Sequence, residues 1–137
     1  MKKVSDLMIQ QVCTLKAQDN LQDAEQLMGS KQIRHVPVVD DAGKLVGLLT
    51  QKEVLAEAFR ITDKFGAHLL KTYLAQTQIA AVMRQDMAMV PADMDLKEAG
   101  RALLQKRSGC ILVVDAEQKL LGILSSQDFV RLALQLL

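Results

Sequence analysis

An internal repeat limits the possible folds of this chain more than any other feature of its sequence. Residues 36–54 align with residues 111–129 without a gap, so that Gly47 pairs with Gly122, 75 positions later. The same offset holds when the alignment is carried back towards the start of each copy. The chain therefore contains two copies of one unit, and we predict a first repeat at 1–59, a helical connector at 60–78 and a second repeat at 79–137.

The hydrophobic period predicts the same order of elements in both copies: strand, helix, strand, strand, helix. In the second copy, Leu96, Ala99 and Leu103 recur at helical spacing along one face. Apolar runs at 111–114 and 120–124 then flank a short polar turn, which is typical of a buried hairpin. We predict an α+β fold of two β-α-β-β-α repeats, joined by an ordered helical connector.

Composition and charge exclude several classes of function. The 137 residues carry 17 basic and 16 acidic side chains, and this net charge of +1 provides no general field for nucleic acid or an anionic membrane. Aromatic residues make up 3% of the chain, which argues against stacking on single strands. No apolar run has the length of a signal peptide or of a membrane span. We predict a cytoplasmic protein that binds neither nucleic acid nor membrane.

Each hairpin ends in a hydroxyl residue that opens a helix and is followed three positions later by a carboxylate. The pairs are Thr50 with Glu53 and Ser125 with Asp128. One interpretation is purely structural, since this is the spacing of a helix cap and its reciprocal carboxylate. The other is a ligand site, because a helix start stabilises a phosphate and a carboxylate can accept bonds from ribose hydroxyls. The spacing alone leaves both open.

The repeated pattern strand-Val-Pro-Val-Val-Asp, hairpin, Gly-Leu-Leu-Thr-x-x-Glu resembles a pair of CBS (cystathionine beta-synthase) domains, also called a Bateman module. The resemblance covers nearly the whole chain. It implies a freestanding regulatory module without catalytic activity or a required cofactor, whose halves pack about a pseudo-twofold axis. It also implies two clefts for an adenosyl ligand, which would be AMP, ADP, ATP or S-adenosylmethionine.

The resemblance assigns residues to both clefts, each built from both repeats. In one, Ser125 and Gln127 would lie near phosphate, Asp128 on ribose and Ile123 against the base, completed by Ile33, Arg34 and His35. The other would use Thr50, Lys52, Glu53 and Leu48, completed by Ser108, Gly109, Cys110 and Ala80. Glu53 stands where the family more often has Asp, so we expect weaker binding in that cleft.

The sequence leaves alternatives to nucleotide sensing. A structural or partner-docking module with empty clefts is the main alternative. An enzyme is disfavoured because no nucleophile, base and orienting residue assemble from the motifs, and His35 and His68 have no ligand-spaced partners for a metal. The C-terminal residues 129–137 are apolar on more than one helical face, which predicts a homodimer. A separate regulated protein is a further predicted partner.

Overall fold

A computed structural model describes residues 2–105 and 109–137; the predicted site residue Ser108 lies outside them. These residues form both helices and strands. The helices are α1 (Val4–Leu7), α2 (Leu21–Lys31), α3 (Gln51–Phe65), α4 (Leu70–Gln76), α5 (Leu96–Gln105) and α6 (Ser126–Leu136). The strands are β1 (His35–Val39), β2 (Leu45–Thr50), β3 (Met89–Val90), β4 (Cys110–Val114) and β5 (Leu120–Ser125). Single 3₁₀ turns span Ala67–Leu69 and Ile79–Ala81.

The chain divides into two compact units. Unit 1 comprises Met1–Val12, Ala42–Leu45 and Asp86–Leu137, and unit 2 comprises Cys13–Asp41 and Val46–Gln85. These units are not the sequence repeats, because each takes the opening segment of the other copy. The proposed boundaries at 59 and 78 therefore stay a prediction about the sequence.

Unit 2 is built on the β1–β2 hairpin, with α2, α3 and α4 packed around its core. Asn20 caps α2 by accepting a hydrogen bond from the backbone N–H of Asp23 at 2.9 Å. The inner face of α2 is apolar at helical spacing and meets fully buried strand residues, which gives one continuous core. Its buried members include Leu21, Ala24, Val36, Val38, Leu49, Ile61, Leu74 and Ile79.

Unit 1 contains a three-stranded sheet in which β3 runs parallel to β4 and β4 antiparallel to β5. Its core is Val4, Val90, Leu96, Ala99, Ile111, Val113 and Leu124. Helix α1 brings Val4 into this core. The N–H groups of Lys3 and Lys2 donate to the carboxylate of Asp6 at the start of α1, which lowers the pKa of Asp6.

The opening segments of the two copies pack against glycines in a reciprocal way. In unit 1, Met8 lies against Gly122, where an added Cβ would be 2.8 Å from the Met8 sulfur. In unit 2, Met83 lies against Gly47, where an added Cβ would be 2.5 Å from the Met83 sulfur. Met8 and Met83 are 75 positions apart, as are the two glycines. The absence of a side chain at each glycine admits the methionine and the backbone that follows it.

Most of the predicted elements are confirmed, and two differ in extent. The first strand of the second copy is β3, but its counterpart in the first copy is a single bridge, in which Leu15 pairs with Val38 in parallel. Within the predicted connector at 60–78, α3 continues to Phe65 and α4 spans Leu70–Gln76. The α+β fold class is confirmed.

Candidate functional site

The start of α3 carries the first hydroxyl–carboxylate pair. Thr50 ends β2 and caps α3, and it is 7% exposed. Its backbone N–H donates to Oε1 of Glu53 at 3.2 Å, and its hydroxyl donates to Oε2 at 2.8 Å. Both oxygens of Glu53 are therefore engaged by the cap, as the structural interpretation of the spacing predicts.

The start of α6 carries the second pair, with a different division of bonds. Both the N–H and the hydroxyl of Ser125 donate to one oxygen of Asp128, Oδ2, at 2.8 and 3.1 Å. Among the described residues, the other oxygen, Oδ1, accepts a long bond from Arg131, at 3.4 Å. Asp128 is 5% exposed, whereas most of the Arg131 side chain is in solvent. Oδ1 is thus the carboxylate oxygen least committed to the cap.

The residues that precede each hairpin meet the helix starts through matching backbone bonds. In unit 2, the N–H of Gln51 donates to the carbonyl of Arg34 at 2.9 Å. In unit 1, the N–H of Ser126 donates to the carbonyl of Gly109 at 3.3 Å, which is the same bond 75 positions later. Gly109 has φ of +79°, a left-handed conformation that favours glycine. Arg34 thus brings a guanidinium to a position where the other copy has no side chain.

The predicted base contacts differ in accessibility. The backbone of Leu48 pairs with that of Arg84 through two hydrogen bonds of 2.8 Å, and Leu48 is 1% exposed. Ile123 makes the equivalent pair with Ile9, at 2.9 and 3.0 Å, but remains half-buried. Of the two predicted base contacts, Ile123 is therefore the more exposed.

The remaining predicted site residues range from exposed to buried. Arg34, Lys52, Ala80 and Gln127 are exposed, Ile33, His35 and Gly109 are half-buried, and Cys110 is 1% exposed. Cys110 pairs with Ser125 in the β4–β5 ladder. The structure therefore groups Leu48, Thr50, Lys52 and Glu53 with Arg34 in unit 2. It groups Ile123, Ser125, Gln127 and Asp128 with Gly109 and Cys110 in unit 1.

Arg131 was not predicted from the sequence. The signal was available, because a cation three positions after a carboxylate in a helix lies on the same face. Ala56 occupies the matching position in the first copy, so this contact belongs to Asp128 and has no equivalent at Glu53.

Metal and membrane functions find no support in the described residues. Within residues 2–105 and 109–137, no three His, Cys, Asp or Glu side chains are grouped to hold a metal ion. Over the same residues, no helix has the length and hydrophobicity needed to cross a bilayer.

Known structures share this architecture over nearly the whole chain. The crystal structure of AcuB from Vibrio cholerae, named for acetoin utilization, is 34% identical with a TM-score of 0.84, covering 99% of this chain and 93% of that one. The structure of CBSX2 in complex with AMP is 32% identical with a TM-score of 0.83, covering 99% of this chain and 98% of that one. CBSX2 is a protein of Arabidopsis thaliana.

Similarity in sequence also extends to larger enzymes. Inosine-5'-monophosphate dehydrogenase of Methanocaldococcus jannaschii is 28% identical over 130 residues, which is 95% of this chain and 23% of the enzyme. The chain spans about a quarter of the length of the first curated enzymes that it matches.

A family model assigns the repeat directly. The model for the CBS domain matches the chain twice, at residues 4–60 and 79–135. The two matches begin 75 positions apart, as the internal repeat does, and each includes one hydroxyl–carboxylate pair. The chain therefore belongs to the CBS domain family and consists of two CBS domains in tandem.

Proposed function

We propose that this chain is a regulatory module that binds an adenine nucleotide and catalyses no reaction. The observation that carries the proposal is the hydroxyl–carboxylate pair at the start of both α3 and α6. A helix start offers backbone N–H groups and the positive end of the helix dipole to a phosphate. A carboxylate beside it is suited to the vicinal hydroxyls of ribose. Phosphate and ribose together define a nucleotide.

AMP is the first ligand to test, because CBSX2, at 32% identity over nearly the whole chain, was crystallised with AMP. The pair at Ser125 and Asp128 is the better candidate, since Oδ1 takes no bond from Ser125 and Ile123 is more exposed than Leu48. The assignment of Ile33, Arg34 and His35 to the Asp128 site, and of Gly109 and Cys110 to the Glu53 site, stays a prediction. Replacing Arg34 by Ala should then weaken AMP binding.

Regulation would follow from differential affinity. A nucleotide that binds one conformation of the module more tightly shifts its population towards that conformation. We propose that the output reaches a homodimer partner or a separate regulated protein.

Thermal unfolding with and without nucleotide tests the proposal. AMP at about 100 times its dissociation constant should stabilise the protein by about 2.7 kcal/mol, and the melting temperature should rise by several degrees. GMP at the same concentration is the matched control and should give a smaller shift. If AMP, ADP and ATP all fail to raise the melting temperature at millimolar concentration, the chain is a structural module with empty sites. Chromatography of ATP incubated with the protein should return unchanged ATP.

A further inference from the structure

Unit 1 has an open apolar groove between α5 and α6. Its volume is about 540 Å³. The lining is apolar along Gly100, Phe129, Leu132 and Leu136, and Lys2 and Lys97 lie at one end. Leu136 is 78% exposed. Within the described residues, neither Ser125 nor Asp128 of the proposed nucleotide site lines the groove.

The matching groove in unit 2 is filled by the chain itself. Helix α4 packs on both α2 and α3, which are the counterparts of α5 and α6. Leu74 of α4 is buried to 4% exposure, and Tyr73 stacks on Phe65 of α3 with ring centroids 4.0 Å apart. Ile61, the counterpart of Leu136, is fully buried there. The same surface is thus covered by a helix in one unit and left open in the other.

The backbone at the end of both grooves is equivalent. The N–H of Leu21 donates to the carbonyl of Thr77, the residue after α4, at 3.0 Å. In unit 1, the N–H of Leu96 donates to the carbonyl of Lys2 at 2.8 Å. Leu96 lies 75 positions after Leu21, and Lys2 lies 75 positions before Thr77, so the two bonds join equivalent residues. Lys2 therefore holds the place of Thr77 and lies at the end of the groove.

Side-chain differences between the grooves indicate the chemistry of the occupant. Gly100 and Leu132 stand at the places of Glu25 and Glu57 of the first copy, so neither of these two lining positions carries a carboxylate in unit 1. Lys2 and Lys97 replace the neutral Thr77 and Gln22, so two cations are gained at the end.

Acidic groups within unit 1 leave these cations available. Asp95, the one carboxylate that lines the groove, pairs with Lys3 at 2.9 Å. Within the described part of the chain, no ion pair joins Lys2 or Lys97 to a carboxylate. The groove is therefore suited to an apolar stripe that ends beside acidic side chains.

We propose that this groove docks an amphipathic helix of a partner protein, with apolar or aromatic residues at i, i+3 and i+4 and an acidic flank. The spacing is that of Leu70, Tyr73 and Leu74 in α4. Helix α6 of a second copy is a poorer occupant, because it exposes Arg131 and its single carboxylate, Asp128, is buried. The docked helix would lie against α6, whose first turn carries the proposed nucleotide site.

A labelled peptide provides the test. The probe is a helix-stapled peptide that keeps the Leu-x-x-Tyr-Leu spacing of α4 and carries glutamates in place of its lysine and glutamine. Fluorescence anisotropy with the full chain should show saturable binding that weakens as salt increases. Gly100→Glu, which installs the residue of the first copy, should weaken binding by about tenfold or more, since the added carboxylate would repel the glutamates that the peptide carries in place of the α4 lysine and glutamine.

Two controls separate docking from loss of fold and from self-association. Gly29→Glu makes the same change on α2, where an added Cβ meets no atom within 4 Å, and should leave peptide binding unchanged. Both variants replace a helical glycine by a better helix former, so both should fold. Absence of saturable binding, or equal binding by Gly100→Glu, would overturn the proposal. So would conversion of a wild-type dimer to monomers by Gly100→Glu, because the groove would then belong to a second copy. Nucleotide binding is measured independently, and its failure would leave this test intact.

Discussion

Asp128 and Glu53 occupy the same position in the two copies but differ in how their oxygens are used. Glu53 commits one oxygen to each Thr50 donor, whereas Asp128 accepts both Ser125 donors on Oδ2. Asp128→Ala should therefore remove most AMP binding and cost about 1 kcal/mol of stability through the lost cap. Glu53→Ala should lose a similar stability but keep most AMP binding. Calorimetric titration of both variants decides this, and a larger loss of affinity at Glu53 would reverse the assignment.

Gly122 is a residue at which a single methyl group should be costly. A Cβ there would lie 2.8 Å from the carbonyl oxygen of Ile9, which is backbone held in a bridge to Ile123. Gly122→Ala should destabilise the protein by about 1–3 kcal/mol, as overpacking does elsewhere. Gly47→Ala should cost less, because its closest neighbour is the flexible Met83 side chain and the nearest carbonyl is 3.1 Å away.

Urea unfolding of both glycine variants measures these costs. Gly29→Ala is the reference, since its Cβ would enter open space on α2 and should stabilise the helix by about 0.5–1 kcal/mol. Equal destabilisation by Gly47→Ala and Gly122→Ala would mean that the contact with the carbonyl oxygen of Ile9 does not determine the cost at Gly122.

At the scale of elements, α4 covers the core of unit 2. Leu74 is 4% exposed and belongs to that core. Leu74→Ala should lower the free energy of unfolding by about 2–5 kcal/mol, through lost burial and the cavity left behind. Leu104→Ala on α5 is the matched control, because Leu104 is 87% exposed and the change should stay within about 0.5 kcal/mol. Similar losses for both variants in urea unfolding would contradict a covering role for α4.

The hydrophobic period predicts the strands of the second hairpin well, because their apolar runs are continuous. Cys110–Val114 and Leu120–Ser125 lie within one residue of the predicted runs, since continuous apolar residues between turns have few alternatives. The exchange of opening segments could not be predicted. Because the repeat gives Gly47 and Gly122 equivalent neighbours, Met8 fits the sequence pattern of either glycine. Which oxygen of a carboxylate accepts a bond also depends on packing that no spacing encodes.

At the scale of the whole molecule, two helices present matching apolar surfaces. Leu55 and Phe59 on α3 are 48% and 71% exposed, and their counterparts Val130 and Leu134 on α6 are 58% and 68% exposed. These faces are distinct from the α5–α6 groove, and we propose that they form the homodimer interface. Large exposed apolar side chains in equivalent places favour burial against another copy.

Light scattering tests the homodimer. The wild-type protein should have twice the mass of one chain at micromolar concentration. The double variant Phe59→Glu and Leu134→Glu should be monomeric, because the introduced carboxylates would be desolvated in an apolar contact. Leu104→Glu, at an exposed position on α5, should remain dimeric. A monomeric wild-type protein would rule out this interface.

The reciprocal packing of Met8 on Gly122 and Met83 on Gly47 also sets the order in which the chain is buried as it is synthesised. Unit 2 draws only on residues up to Gln85, so all of it has been translated while residues 86–137 of unit 1 are still to be made. Val4 and Met8 leave the ribosome long before Gly122 and Leu124, their partners in unit 1. A nascent chain stalled before Gly122 would therefore leave its first twelve residues open to proteases and chaperones.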